Sequence, residues 1–99
     1  MTIGKTKKEG ALVISLEGRL DTVTAPELEN ELKESLADVT SLTFDFKALD
    51  YISSAGLRVL LSAQKIMNGR GQMKICNVNE TIMEIFEVTG FVDILNIEK

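Results

Sequence analysis

Apolar positions along the chain follow two spacings that alternate from one end to the other. Ala11-Leu12-Val13-Ile14-Ser15-Leu16 is short, apolar and β-branched, and Leu12, Ile14 and Leu16 share one face at period two. Ser41 to Lys47 alternates cleanly, with Leu42, Phe44 and Phe46 on one side and Thr43 and Asp45 on the other. Both stretches predict strands. Ile3 to Lys8 predicts a weaker edge strand, separated from the next by a turn at Gly10. Gly18 ends or bulges the second strand. Gln72 to Cys76 and Phe91 to Ile97 predict two further short strands.

Between these lie segments of helical spacing. Leu28, Leu32 and Leu36 recur every fourth residue, with Glu27, Glu31, Lys33 and Glu34 opposite. Thr24-Ala25-Pro26-Glu27 has the form of a capping box, and Pro26 falls in the first turn, where a missing N–H costs nothing. A second helix follows the connection Tyr51-Ile52. Ser53 and Ser54 are both suitable caps, Leu57, Leu60, Leu61 and Gln64 mark its spacing, and Gly69 and Gly71 stop it. Asn77 or Asn79 caps a third helix bearing Ile82, Ile85 and Phe86, which Gly90 ends.

The order is β-β-α-β-α-β-α-β in an α/β domain. Strand-to-helix alternation implies right-handed crossovers and a mixed, mostly parallel sheet, to which the opening hairpin adds an antiparallel edge. One apolar stripe per helix suits packing of all three helices on one face of the sheet. The other face is left partly exposed, in keeping with the outward Thr43 and Asp45.

Length and composition fit that picture. The 99 residues make one domain, 1–99, with no repeat or linker, and a hydrophobic fraction of 44% supports a packed, mainly aliphatic core. The formal net charge of -4 argues against a nucleic-acid footprint. The one basic run, Lys5, Lys7 and Lys8, reads as a solvated first strand. Cys76 is the only cysteine, so no internal disulfide forms, and its apolar setting suggests a buried structural thiol. Neither a signal peptide nor a membrane-spanning run is evident, and the expected location is the cytoplasm.

Much chemistry is excluded. With no histidine, neither Ser-His nor Cys-His nucleophilic pairs exist, and zinc sites built on His or on several Cys are ruled out. Phosphate-loop and dinucleotide fingerprints are absent. Asp21, Asp45 and Asp50 form no evident acid–base pair. The expectation is a binding protein, not an enzyme, with no metal and no cofactor.

In a parallel α/β layer, ligand and partner sites gather beyond the carboxyl ends of the strands. Two connections belong there: Gly18 to Thr24, carrying Asp21, Thr22 and Thr24, and Leu49 to Gly56, carrying Asp50, Ser53 and Ser54. A phosphate on a hydroxyl at a helix N-terminus meets unpaired N–H groups and the positive end of the dipole. It also adds roughly two negative charges to the rim, enough to repel a partner. Equally, a serine before a helix can be an ordinary cap, and Gly56 can serve only close packing of helix on strand.

At Asp50-Tyr51-Ile52-Ser53-Ser54-Ala55-Gly56-Leu57-Arg58-Val59-Leu60-Leu61 the chain resembles the STAS domain family, and within it the bacterial anti-sigma factor antagonists. Gly18-Arg19-Leu20-Asp21, Phe44-Asp45-Phe46 and Val88-Thr89-Gly90-Phe91 carry the resemblance over nearly the whole chain. It implies a STAS-like fold and partner switching. An unphosphorylated form binds an anti-sigma factor that is also a serine kinase, freeing a sigma factor. Phosphorylation breaks the complex, and a serine phosphatase resets it. Aligned to the pattern Asp-Ser-[Ser/Thr]-Gly-Leu, the acceptor falls on Ser54, with Gly56 and Leu57 fixing the register. Ser53 stands where the family carries an acidic residue and is the alternative acceptor. Ala55 replaces a hydroxyl, and Arg58 stands where a small residue is common. The partner surface implied comprises Asp21, Thr22, Thr24, Ser53, Ser54, Ala55, Gly56 and Arg58. STAS-like domains also serve as subunits of lipid-transport complexes or signalling scaffolds, where the same edge docks a partner without a phosphorylation cycle.

Overall fold

The computed structural model describes residues 1–98. Strands β1 (Thr2–Lys8) and β2 (Ala11–Leu20) form an antiparallel hairpin. Glu9 and Gly10 both take positive φ, 51° and 92°, the left-handed geometry a tight two-residue hairpin needs. Helix α1 (Ala25–Ser35) then crosses to β3 (Ser41–Ile52), and α2 (Ser54–Asn68) crosses to β4 (Gln72–Cys76); β2, β3 and β4 run parallel. The sheet order is β1-β2-β3-β4, and α3 (Glu80–Thr89) follows. This is the mixed, mostly parallel sheet that the alternating periodicities predict.

Burial explains the arrangement. Leu12, Ile14, Leu16 and Leu20 of β2 and Leu42, Phe44, Phe46, Leu49 and Ile52 of β3 are fully enclosed. They meet Leu28, Leu32 and Leu36 around α1, Leu57, Leu60 and Ala63 of α2, and Ile82 and Phe86 of α3 in one cluster. The opposite sheet face, with Val13, Ser15, Thr43 and Asp45, stays wholly or partly open. Two of the three β1 lysines are tied to α1 and the turn after it: Lys5 pairs with Glu31 at 2.6 Å, and Lys7 pairs with Asp38.

Three local expectations change. β2 and β3 extend well beyond the alternating runs, to Leu20 and Ile52. Gly18, at φ 103°, does not end β2, and the register shifts on either side of Glu17 and Gly18 put the extra residues in β3: Asp45 to Ala48 runs opposite Ser15 to Glu17, and Leu49 to Tyr51 opposite Gly18 to Arg19. The segment Phe91–Ile97 is not a strand. Gly90 turns the chain in the left-handed region at φ 80°, and Phe91–Asp93 winds into a 3₁₀ turn closed by Ile94 and Leu95 N–H groups donating to the Phe91 carbonyl. The chain then meets β4 in a single parallel bridge of Ile97 to Ile75, in which the Ile75 N–H donates to the Asn96 carbonyl at 2.9 Å and the Glu98 N–H to the Ile75 carbonyl at 2.7 Å. Cys76 is half-buried at the end of β4, not enclosed, though burial still raises its thiol pKa above the ordinary value.

Candidate functional site

All three parallel strands end at the same edge. The β2–α1 turn and the start of α2 meet there, joined directly where the Ser53 N–H donates to the Leu20 carbonyl at 2.9 Å.

The first turn holds itself together. One Asp21 carboxylate oxygen accepts from the Val23 and Thr24 N–H groups at 3.0 and 3.1 Å. Thr24 Oγ1 accepts from the Asp21 N–H at 2.8 Å and donates to the Arg19 carbonyl at 2.8 Å. The Thr24 N–H bond, helped by the Thr24 hydroxyl, the Val23 N–H and Arg19, holds Asp21 below the usual carboxylate pKa. Thr24 therefore makes no side-chain cap on α1. Its backbone is already helical, at φ -92° and ψ -19°, so the hydroxyl faces back into the turn. Asp21 and Thr24 are consumed in building this loop. What they hold out is Thr22 and the side chain of Val23, which is 83% exposed.

The second turn is built differently. Gly56 lies on the underside of α2, where a Cβ would stand 2.7 Å from Leu20 Cγ and 2.8 Å from Ile52 Cγ1. Glycine thus lets α2 sit down on the ends of β2 and β3; being buried, Gly56 shapes the site without offering surface. Ser53 is the N-cap residue in extended conformation, yet its side chain caps nothing. Its Oγ is buried without a hydrogen-bond partner. The first turn of α2 carries no acidic residue, whereas α1 has Glu27 and α3 has Glu80 together with an Asn79 side chain accepting from the Ile82 N–H at 2.8 Å. The N-terminal N–H groups of α2 are thus the least compensated of the three helices.

Ser54, the next residue, is exposed at the first position of α2. Ala55 is half-buried and Arg58 exposed, and both line a cleft of about 290 Å³ between α1 and α2. Thr22, Ala25, Pro26, Glu29, Val59 and Ser62 complete its walls. The sequence-predicted residues Thr22, Ala55 and Arg58 thus share one groove, with Ser53 and Ser54 at the start of the helix that forms one wall. Ala25, Pro26, Glu29, Val59 and Ser62 of the groove were not anticipated, nor was the exposed Val23 beside Thr22 in the chain. Proline two residues past the cap and a polar i, i+3 partner of Val59 were the only hints of a groove wall. Among the described residues, no group of three His, Cys, Asp or Glu side chains could hold a metal ion. No helix among the described residues is long and apolar enough to cross a membrane.

The STAS domain family model matches residues 2–99. The chain belongs to the STAS family. A protein of Bordetella bronchiseptica named as an anti-sigma factor antagonist, BtrV, is 35% identical over 96 residues, spanning 95% of this chain and 83% of that protein. The crystal structure of an anti-sigma factor antagonist from Mycobacterium paratuberculosis superposes with a TM-score of 0.89 at 23% identity, covering 98% of this STAS domain and 84% of that chain. The phosphorylated form of the Bacillus cell fate determinant SpoIIAA shares the fold at a TM-score of 0.77 and 18% identity, over 99% of this chain and 92% of its own.

Proposed function

We propose that this STAS domain is an anti-sigma factor antagonist that binds an anti-sigma factor serine kinase in its unmodified state and is released by phosphorylation of Ser54. The observation that carries the reading is the pairing of an exposed Ser54 hydroxyl with an uncapped, acid-free N-terminus on α2. The name borne by the Bordetella relative supports the partner class. Between the two serines, accessibility favours Ser54: a kinase must reach the acceptor oxygen, and Ser53 Oγ is buried.

The charge balance gives the switch its direction. A phosphate on Ser54 brings roughly two negative charges, which the free N–H groups of α2 stabilise locally. Arg58 lies one turn further along α2 and makes no ion pair among the described residues. At i, i+4 spacing it can pair with that phosphate. Modification then withdraws a cation from the groove and adds a hydrated dianion beside it. A partner that had docked against Thr22, Val23, Ala55 and Arg58 loses both complementarities at once. Removal of the phosphate by a serine phosphatase restores the binding surface. No step here requires the chain to act as an enzyme.

The test is reconstitution with the cognate kinase and ATP, followed by mass-spectrometric site mapping. One phosphate at Ser54, absent from Ser54→Ala, is expected. Full modification of Ser54→Ala, or equal partner affinity of the phosphorylated and unmodified forms, would refute the reading.

A further inference from the structure

The carboxyl edge leaves α3 without a role, and α3 is unusual in both its exposure and its charge. Among the described residues six large apolar side chains are exposed, and three of them, Val88, Val92 and Ile94, fall within seven residues at the end of α3 and just beyond it. Val88 is 80% exposed and Ile94 48%. Val88 and the half-buried Ile85, with Thr81, Glu84 and Thr89, line a shallow depression of about 340 Å³. Across the helix, Val78 and Met83 floor a second depression edged by Glu80, Glu84 and Glu87. These three glutamates recur at i, i+4 and i+7, so they form one acidic ridge between two apolar troughs.

The charge around this face is one-sided. Of the 15 acidic residues, five (Glu80, Glu84, Glu87, Asp93, Glu98) follow Lys74, and no Lys or Arg lies between residues 75 and 98. The ten acidic residues before that point are matched by ten of the 11 basic ones, Lys99 being the eleventh. Among the described residues only Glu98 of the five is paired, with Lys74 at 3.7 Å. The protein's net negative charge is thus gathered around one exposed, partly apolar helix.

We propose that the outer face of α3 is a docking surface for a cationic amphipathic segment of a partner protein. Such a segment places aliphatic side chains in the troughs and Lys or Arg against the glutamate ridge, meeting both features with one periodicity. A second copy of this chain would set the same carboxylates against themselves, and nucleic acids and anionic bilayers are repelled in the same way. The proposal is independent of the Ser54 reading, because α3 contributes no residue to that groove.

The experiment is a titration of the isotope-labelled full chain, followed by amide NMR, with a short helical peptide of leucine and lysine at amphipathic spacing. A matched peptide with glutamate for each lysine is the control. The lysine peptide is expected to move the amides of Thr81, Glu84, Ile85 and Val88 while leaving Ser54 and Ala55 in place, and the glutamate peptide to move none. Val88→Ser and the double change Glu84→Lys, Glu87→Lys should each weaken binding by about tenfold, the effect of losing one central anchor. All these positions are at the surface of α3, and an unchanged thermal melt confirms that the variants fold. Equal shifts along the acidic face of α1, or an affinity indifferent to Val88→Ser, would overturn the proposal. So would a dimer of this chain that Val88→Ser dissolves, since it would give the face to a second copy.

Discussion

Replacing Gly56 by alanine probes the contact on which the α2 end of the site rests. The new Cβ would lie 2.7 Å and 3.0 Å from Leu20 Cγ and Cδ2 and 2.8 Å from Ile52 Cγ1. Carbon atoms pack comfortably at about 3.5–4.0 Å, so the first turn of α2 must lift by roughly 1 Å. Overpacking of this kind costs about 1–3 kcal/mol. Alanine in place of glycine returns at most about 1 kcal/mol of helix propensity. The net expectation is destabilisation by about 1 kcal/mol, a fall in melting temperature of roughly 4–8 °C for a domain of this size. That figure alone does not identify the clash, but a double-mutant cycle with Leu20→Ala does. Leu20 is fully buried, and its truncation alone should cost about 2–5 kcal/mol. In the double variant, the added methyl occupies space that Leu20 has vacated. The combined loss should then be smaller than the sum of the single losses by about 1–2 kcal/mol. Urea unfolding of the four proteins, followed by circular dichroism, measures the coupling. Additivity within about 0.5 kcal/mol would show that Leu20 is not what excludes a side chain at position 56.

Three further outcomes follow from the same geometry. Asn79→Ala, which removes a cap bonded to the Ile82 N–H and the Leu49 carbonyl, should cost about 1 kcal/mol, while Ser53→Ala, which deletes a hydroxyl that bonds nothing, should cost clearly less in the same unfolding assay. Asp21, Asp38 and Asp45 are held below their ordinary pKa, chiefly by the Thr24 N–H, Lys7 and the Asn77 amide respectively, so their stabilisation is present above the ordinary carboxylate pKa and fades as pH falls through the depressed values. Acid unfolding of Asp45→Asn should accordingly show a shallower dependence on pH in that range. Gly71→Ala should destabilise more than Gly69→Ala, because a Cβ at 71 runs into the Thr40 backbone carbonyl whereas one at 69 meets nothing; thermal melts compare them directly.

Much of the fold could be read from the spacing of apolar residues, and the failures have local causes. In β3 the alternation is clean to Phe46 and then breaks: Lys47 and Ala48 are both exposed, Leu49 is buried, and the next enclosed residue is Ile52. The register shifts against β2 account for this, since each inserted residue resets the period and makes a continuing strand look like a loop. Phe91 to Ile97 is an apolar run of a length that fits a short strand or a helical turn equally well, and only the left-handed Gly90 decides between them. At the site, Thr22 and Ser54 could be found because hydroxyls cluster at the connections, and Arg58 because it stands in the stretch that resembles the STAS family. Pro26, Glu29, Val59 and Ser62 could not, because they are scattered over two helices and become neighbours only when α1 and α2 pack side by side.

The hydrogen bond from the Ser53 N–H to the Leu20 carbonyl fastens the start of α2 to the end of the neighbouring strand, and the crowded Gly56 contact clamps it from below. A hydroxyl mounted on so rigid a seat can change the field around it without reshaping the backbone. Signalling through Ser54 would then be an affair of Coulomb forces acting over about 8 Å at physiological salt. Its on–off ratio becomes a property of the surrounding electrolyte as much as of the protein: concentrated salt dims the difference between the two states, and dilution sharpens it.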